Sequence, residues 1–271
     1  MMKKIIGFSC VVFGLCYSAG SMAFVEKQID VFSPSMNKKV PTTVVLPNGY
    51  SEDKKYSVIY TLHGWSGNHR NYPEKTALGE LADKYHVIYV STDGNYDSWF
   101  VDSEVKPDSK YHTFIAKELV PYIDQNYATI AAKEHRAITG LSMGGFGALY
   151  IGVNNQDLFG YIGSMSGGVI PQQYQHNWGI SAVINKNWEN YNITDLAHRF
   201  IFSKTQIIID CGIDDFFIEP NRALHKKLLD LNVKHTYIEK PGSHTWDYWR
   251  ESIHQHTFFF TEHFNKEEVK K

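Results

Sequence analysis

Residues 135–147 read His-Arg-Ala-Ile-Thr-Gly140-Leu141-Ser142-Met143-Gly144-Gly145-Phe146-Gly147, and this stretch decides the fold. Ala137-Ile138-Thr139 is β-rich, while Met143 to Val153 is apolar and long enough for a helix. A strand therefore turns abruptly into a helix across Gly140–Gly144. Gly-x-Ser-x-Gly in that position is the composition of a nucleophile elbow. The serine takes a strained backbone position, and side chains at 140 and 144 would strike neighbouring elements, so both are glycine. Ser142 is thus the candidate nucleophile, with the alternative of an ordinary glycine-rich turn.

On either side of the elbow, strands alternate with segments of helical length. Strands are predicted at Thr42–Leu46, Tyr56–Leu62, Val87–Ser91, His135–Thr139, Tyr161–Ser166, Thr205–Asp210 and Lys234–Glu239. Helices are predicted at Leu78–Tyr85, Thr113–Asn126, Met143–Val153, Glu219–Leu231 and Trp246–Phe264. That alternation defines βαβ units and an α/β fold, with a mostly parallel central sheet and helices on both faces. No internal repeat or Pro/Gly/Ser linker divides the chain, so residues 24–271 form one domain. Residues 168–200 break the rhythm, with Tyr174, His176, Trp178, Trp188, Tyr191 and Phe200 set among Asn and Gln. The segment reads as an insertion after a strand's carboxyl end, the edge where parallel sheets bind ligands, and is expected either to cap the site or to pack as a surface excursion.

The chain has 271 residues, 43% hydrophobic and 14% aromatic, enough to bury a large core. Its formal charge is −2, without long like-charge blocks, which argues against a nucleic-acid surface or a polybasic membrane patch. Lys3 and Lys4, an apolar run from Ile5 to Cys16 and Ser21-Met22-Ala23 spell a secretory signal cleaved after Ala23. The run is shorter than the ~20 residues that span a bilayer, so no stable membrane anchor is expected. Cys10 and Cys16 fall in the signal, leaving Cys211 without a partner for a disulfide; it reads as a small buried residue at a strand end. The expected location is periplasmic or extracellular.

A serine nucleophile needs a histidine base and an acid to orient it, here in the order Ser, acid, His. The strand at 205–210 runs into Cys211-Gly212-Ile213-Asp214-Asp215, and the strand at 234–239 into Pro241-Gly242-Ser243-His244. Among thirteen histidines, His244 stands out by following the last predicted strand. The residues alone leave Asp214 and Asp215 both open as the acid, whereas Asp210 would lie inside its strand. An oxyanion needs two backbone donors. Met143 follows the serine, and Trp65 in Leu62-His63-Gly64-Trp65-Ser66-Gly67 is the candidate second donor, with Gly64 permitting close approach; a simple strand-ending turn is the alternative there.

These residues together give the chain a resemblance to the esterase D family of α/β-hydrolases, which includes S-formylglutathione hydrolases, tributyrin-type and feruloyl esterases and, more distantly, mycolyltransferases. The matching pieces are Leu62 to Asn68, Asp93-Gly94, Ser98 to Ser103, Tyr111 to Tyr127, Gly140 to Gly145, Cys211-Gly212 with Asp215, and Gly242 to Trp246 with Trp249. The resemblance implies the α/β-hydrolase fold over nearly the whole mature chain. It selects Asp215, three residues after the loop glycine, as the acid. His244 is followed by Thr-Trp-Asp-Tyr-Trp, closer to the secreted esterases than to cytosolic formylglutathione hydrolases.

The expected activity is hydrolysis of short acyl or aryl esters, acetyl, butyryl or feruloyl, on small molecules or carbohydrates, by Ser142, Asp215 and His244 with Trp65 and Met143 as oxyanion donors. Gly64, Trp99, Phe100 and Trp246 are the expected substrate-binding residues. No cofactor is needed. Phosphate-loop, dinucleotide and His-Glu-x-x-His patterns are missing, and His254 and His256 point to different sides of a helix, so no metal site is expected. An acyltransferase with the same triad and a non-catalytic binding protein on the same fold are the alternatives.

Overall fold

The structure, a computed structural model, describes residues 23–269. Residues 1–22, which hold the body of the expected export signal, lie outside the described residues. Eight strands make one sheet: β1 (Val25–Ser33), β2 (Lys38–Leu46), β3 (Val58–Leu62), β4 (Ile88–Thr92), β5 (Arg136–Leu141), β6 (Tyr161–Met165), β7 (Gln206–Gly212) and β8 (Thr236–Lys240). Their order is β1-β2-β4-β3-β5-β6-β7-β8. β1 and β2 form an antiparallel hairpin, β2 is antiparallel to β4, and all pairs from β4 to β8 are parallel.

Burial explains which strands were legible. Every residue of β3, β4, β5 and β6 is buried, so the sequence shows continuous apolar runs there. β1 was not foreseen. It is an edge strand whose first four residues, Val25 to Gln28, are exposed, and its charged side chains, Glu26, Lys27 and Asp30, are those that discourage pairing with another chain. β2 likewise begins at Lys38 rather than Thr42, because Lys38 and Lys39 still pair with Ser33 and Phe32.

Side-chain alternation splits the core in two. Along β7, Ile207 and Ile209 face one layer and Ile208 the other. The first layer is covered by the helix at 111–126 (α2), α3 (Met143–Asn154) and α4 (Ile218–Asp230); the second by α1 (Leu78–Tyr85) and α5 (Trp246–Val269). Within α2 the turn Phe114–Leu119 is π-helical, with the Val120 N–H bonded to the Ile115 carbonyl five residues back. Pro121 follows directly, and its ring disfavours the tighter spacing. α3 buries ten of its twelve residues, as the central helix behind the elbow must.

The 168–200 segment winds through short turns at Pro171–Tyr174, Ile180–Ala182, Trp188–Asn190, Ile193–Leu196 and Ala197–Phe200. Turns of three or four residues leave no period to read. Ile180, Val183, Ile184, Ile193, Leu196 and Phe200 are buried in the first core layer, so most of the segment is structural wall. Trp178 is its contribution to the site.

Candidate active site

Ser142 sits between β5 and α3 at φ 55°, ψ −118°. L residues rarely adopt that conformation, and here it is fixed from all sides. The Ser142 N–H donates to the Met165 carbonyl (2.9 Å), and its own carbonyl accepts from Phe146 N–H (3.0 Å). A Cβ on Gly140 would collide with the Gly144 carbonyl, and one on Gly144 with the Leu62 carbonyl. The two glycines therefore let β5, α3 and the end of β3 touch backbone to backbone.

Asp215 and His244 follow β7 and β8, neighbouring strands on the same side of β5. His244 Nε2 lies 2.9 Å from Ser142 Oγ, and His244 Nδ1 lies 2.9 Å from Asp215 Oδ2. Asp215 is buried, and its Oδ1 accepts the Phe217 N–H at 2.8 Å. With Nδ1–H donating to that fixed carboxylate, Nε2 is the ring nitrogen free to accept a proton from Ser142 Oγ. Asp214 is exposed and contributes its N–H to the Gly242 carbonyl instead.

His244 reaches back across β7 because two loops touch without side chains. A Cβ on Gly212 would collide with the Gly242 carbonyl, and Gly242 has φ 140°, a conformation open to glycine. Around the imidazole, Phe216 (4.2 Å between ring centres), Trp249 (4.8 Å) and Phe217 (5.4 Å) form an aromatic collar. Trp249 is itself tied to Ser166 Oγ through its indole N–H (3.2 Å).

A pocket of about 250 Å³ opens onto Ser142 and His244. Gly64, Trp65 and Trp246 line it, joined by Trp178, Phe216 and Trp249, with Asn71 and Lys75 alongside. Phe216, Trp249, Asn71 and Lys75 were not among the substrate-binding residues read from the sequence, whereas Trp178 is one of the aromatics of the 168–200 segment read as a possible cap over the site. Trp249 was legible through its place five residues after His244, but Phe216 was not: its ring stacks on Trp178 at 5.4 Å, far away in sequence, and no local pattern announces that.

Trp99 and Phe100 are not where the sequence placed them. Both are fully buried in the core and neither lines the pocket. They hold it from behind. Trp99 donates its indole N–H to the Trp178 carbonyl (3.0 Å), and Phe100 packs its ring against His63 at 5.4 Å. Both adopt left-handed backbone, φ 51° and 55°, so the loop is strained to set these two rings.

Met143 opens α3, where the first amides lack intrahelical acceptors. Trp65 follows β3 in a loop closed by Gly67 N–H to the Gly64 carbonyl (3.0 Å) and Ser66 N–H to the Tyr96 carbonyl (2.8 Å). Neither the Met143 nor the Trp65 amide donates to a described residue. His63 is buried, and burial lowers its pKa below the ordinary histidine value.

Asp210 lies inside β7, facing α5. It is fully buried 3.8 Å from His256 Nε2, with its pKa pushed up to about 7 by burial, while burial lowers His256 to about 3. The signs oppose. Neutral His256 stabilises the fold above its unfolded value near 6.5, and this is lost as pH falls towards 3. Protonated Asp210 stabilises it below its unfolded value near 3.8, and this is lost as pH rises towards 7. Between about 4 and 6.5 the folded state keeps one proton on Asp210 and the unfolded chain one on His256, so the pair is nearly pH-silent. Asp210→Asn should remove that balance: its melting temperature rises relative to wild type by several degrees between pH 4 and pH 8. A constant difference across that range contradicts the assignment.

Cys211 is free and buried. Among the described residues there is no group of three or more His, Cys, Asp or Glu arranged to hold a metal, and no helix long and apolar enough to cross a membrane.

A mostly parallel sheet with helices on both faces, and an elbow serine meeting a histidine and an acid from later strands, is the architecture of the α/β-hydrolases. Residues 33–260 match the family model described as "Putative esterase", and the chain belongs to that esterase family. The acetyl esterase of Caldicellulosiruptor saccharolyticus is 26% identical over 253 residues, 83% of this chain and 94% of that protein. A solved ferulic acid esterase superposes with a TM-score of 0.79 at 27% identity, covering 89% of this chain and 100% of that one. The S-formylglutathione hydrolase of Staphylococcus aureus, at 19% identity, shares the fold with a TM-score of 0.79 over 89% of this chain and 100% of its own.

Proposed function

We propose that the protein is a serine carboxylesterase acting on short acyl or aryl esters, of the acetyl and feruloyl kind, with Ser142, His244 and Asp215 as its triad. The observation that carries this is the unbroken line Ser142 Oγ, His244 Nε2, His244 Nδ1, Asp215 Oδ2, each contact 2.9 Å. In this reading Ser142 Oγ attacks the ester carbonyl as its proton passes to His244 Nε2, and Asp215 holds the imidazolium. The carbonyl oxygen becomes an anion received by the Met143 and Trp65 amides. Collapse breaks the ester bond, and His244 returns its proton to the departing alkoxide. Water then repeats the sequence on the acyl-enzyme, giving the free acid and restoring Ser142.

The relatives' names support the substrate class, and the pocket supports its size. At about 250 Å³ it falls below the roughly 300–1,000 Å³ of sites for drug-sized ligands. Its aromatic walls suit an acetyl, butyryl or flat aryl group. The export signal read at 1–23 would deliver this activity outside the cytoplasm.

Residues 24–271 should hydrolyse nitrophenyl acetate and butyrate and methyl ferulate, with kcat/KM falling steeply for longer acyl chains up to dodecanoyl. A preference for dodecanoyl would refute the confined pocket. Turnover of no ester at all would refute the proposal itself.

A further inference from the structure

The loop after β3 is tied by a histidine whose two ring nitrogens have different work. The Gly94 N–H donates to His63 Nε2 at 2.7 Å, so Nε2 must be unprotonated. The proton is then on Nδ1, which lies 2.8 Å from the Gly64 carbonyl and donates to it. That carbonyl belongs to the peptide unit whose other end is the Trp65 N–H.

Resting on the esterase reading above, we infer that His63 is a positioning residue that orients and polarises the Gly64–Trp65 peptide, so that the Trp65 amide is a stronger donor to the oxyanion. The donors run in one direction: Gly94 N–H to His63 Nε2, His63 Nδ1–H to the Gly64 carbonyl, and Trp65 N–H to the developing negative oxygen. Hydrogen bonds aligned head to tail strengthen one another, most of all in a site from which water is excluded. Charge drawn onto the Gly64 oxygen leaves the Trp65 hydrogen more positive. Gly67 N–H donates to the same carbonyl at 3.0 Å and reinforces the effect.

The surroundings are built around this histidine. A Cβ on Gly67 would come within 2.9 Å of both His63 Nδ1 and the Gly64 carbonyl, so glycine keeps that bond open. A Cβ on Gly94 would run into the Phe100 ring, the ring that packs on His63. The strained Trp99-Phe100 backbone therefore acts on the oxyanion loop through His63. Burial, which disfavours a charged imidazole, keeps it in the neutral form that can accept from Gly94 and donate to Gly64.

Two substitutions separate polarisation from a mere tie. In His63→Asn the amide nitrogen stands near the position of Nδ1 and can still donate to the Gly64 carbonyl, but the acceptor for Gly94 is lost. In His63→Gln the amide oxygen reaches towards the position of Nε2 and can accept from Gly94, but the donor to Gly64 is lost. A single oxyanion donor contributes roughly 10²–10³ to kcat, and cooperative strengthening of 10–30% makes polarisation worth about 2- to 8-fold. On nitrophenyl butyrate, kcat of His63→Gln should therefore fall about 2- to 8-fold below that of His63→Asn, with KM little changed. The affinity of phenylboronic acid, whose adduct with Ser142 places an anionic oxygen in the hole, should fall in parallel.

Equal kcat values, or a better Gln than Asn variant, would mean that the tie to Gly94 is what matters and would overturn the inference. Should either variant fail to fold, ¹⁵N spectra of the wild type decide it. His63 must show a protonated Nδ1 and bare Nε2, and its Nδ1–H signal must shift when the boronate adduct forms. The opposite tautomer, or an unmoved signal, defeats the inference. Wild-type turnover of butyrate keeps this result apart from failure of the esterase proposal, which would show as an inactive wild type.

Discussion

Ser142→Ala should lose ester hydrolysis by on the order of 10⁴-fold or more in kcat/KM, the scale set by nucleophile removal in comparable triads. The fold should survive. Alanine keeps the Cβ and so meets the same constraints at φ 55°, while Met165 and Phe146 still hold the backbone of residue 142 on both sides. The group removed is one hydroxyl whose partner, the His244 ring, remains held between the tilted Phe216 ring and the edge-on Trp249 ring. Melting curves of the two proteins should nearly coincide, and a fluorophosphonate probe should label wild type alone. A variant retaining a tenth of the wild-type rate would show that another residue attacks the ester.

Asp215→Asn is expected to cost about 10⁴-fold in kcat, as when a triad acid becomes an amide. The local bonds say why. Phe217 N–H already donates to Oδ1, so an asparagine here keeps its oxygen towards Phe217 and turns its NH₂ towards His244. A donor facing Nδ1 forces the proton onto Nε2, where it faces Ser142 and blocks the base. Asp214→Asn, one residue away, should stay within about 2-fold, since its side chain is exposed and its tie to Gly242 is made by the backbone. Equal losses at 214 and 215 would remove Asp215 from the proposed triad.

The elbow was the most legible part of the molecule, because its glycines answer steric demands that act within five residues. The choice of acid was less legible: Asp214 and Asp215 are indistinguishable locally, and they differ in the structure by burial and by the bond of Asp215 to His244. Trp99 and Phe100 misled because an aromatic pair in a polar loop resembles a binding surface, whereas left-handed backbone at both positions turns the rings inward. Lys75 and Asn71 gave no signal, since their nearness to Ser142 depends on how the loop after β3 folds over β5. β1 was hidden for the opposite reason to the core strands: an edge exposed on its outer half carries charge where periodicity would be read.

The contact between Gly212 and Gly242 has a consequence for how such a site can change over time. The loop that carries Asp215 and the loop that carries His244 meet through bare backbone, so each is shaped for the other's absence of side chains. A side chain acquired at either position pushes the histidine away from the serine even though no triad residue has altered. The two loops are therefore inherited as one unit. The aromatic rim around them meets His244 through ring contacts, so its side chains can change without altering the backbone contact that joins the two loops.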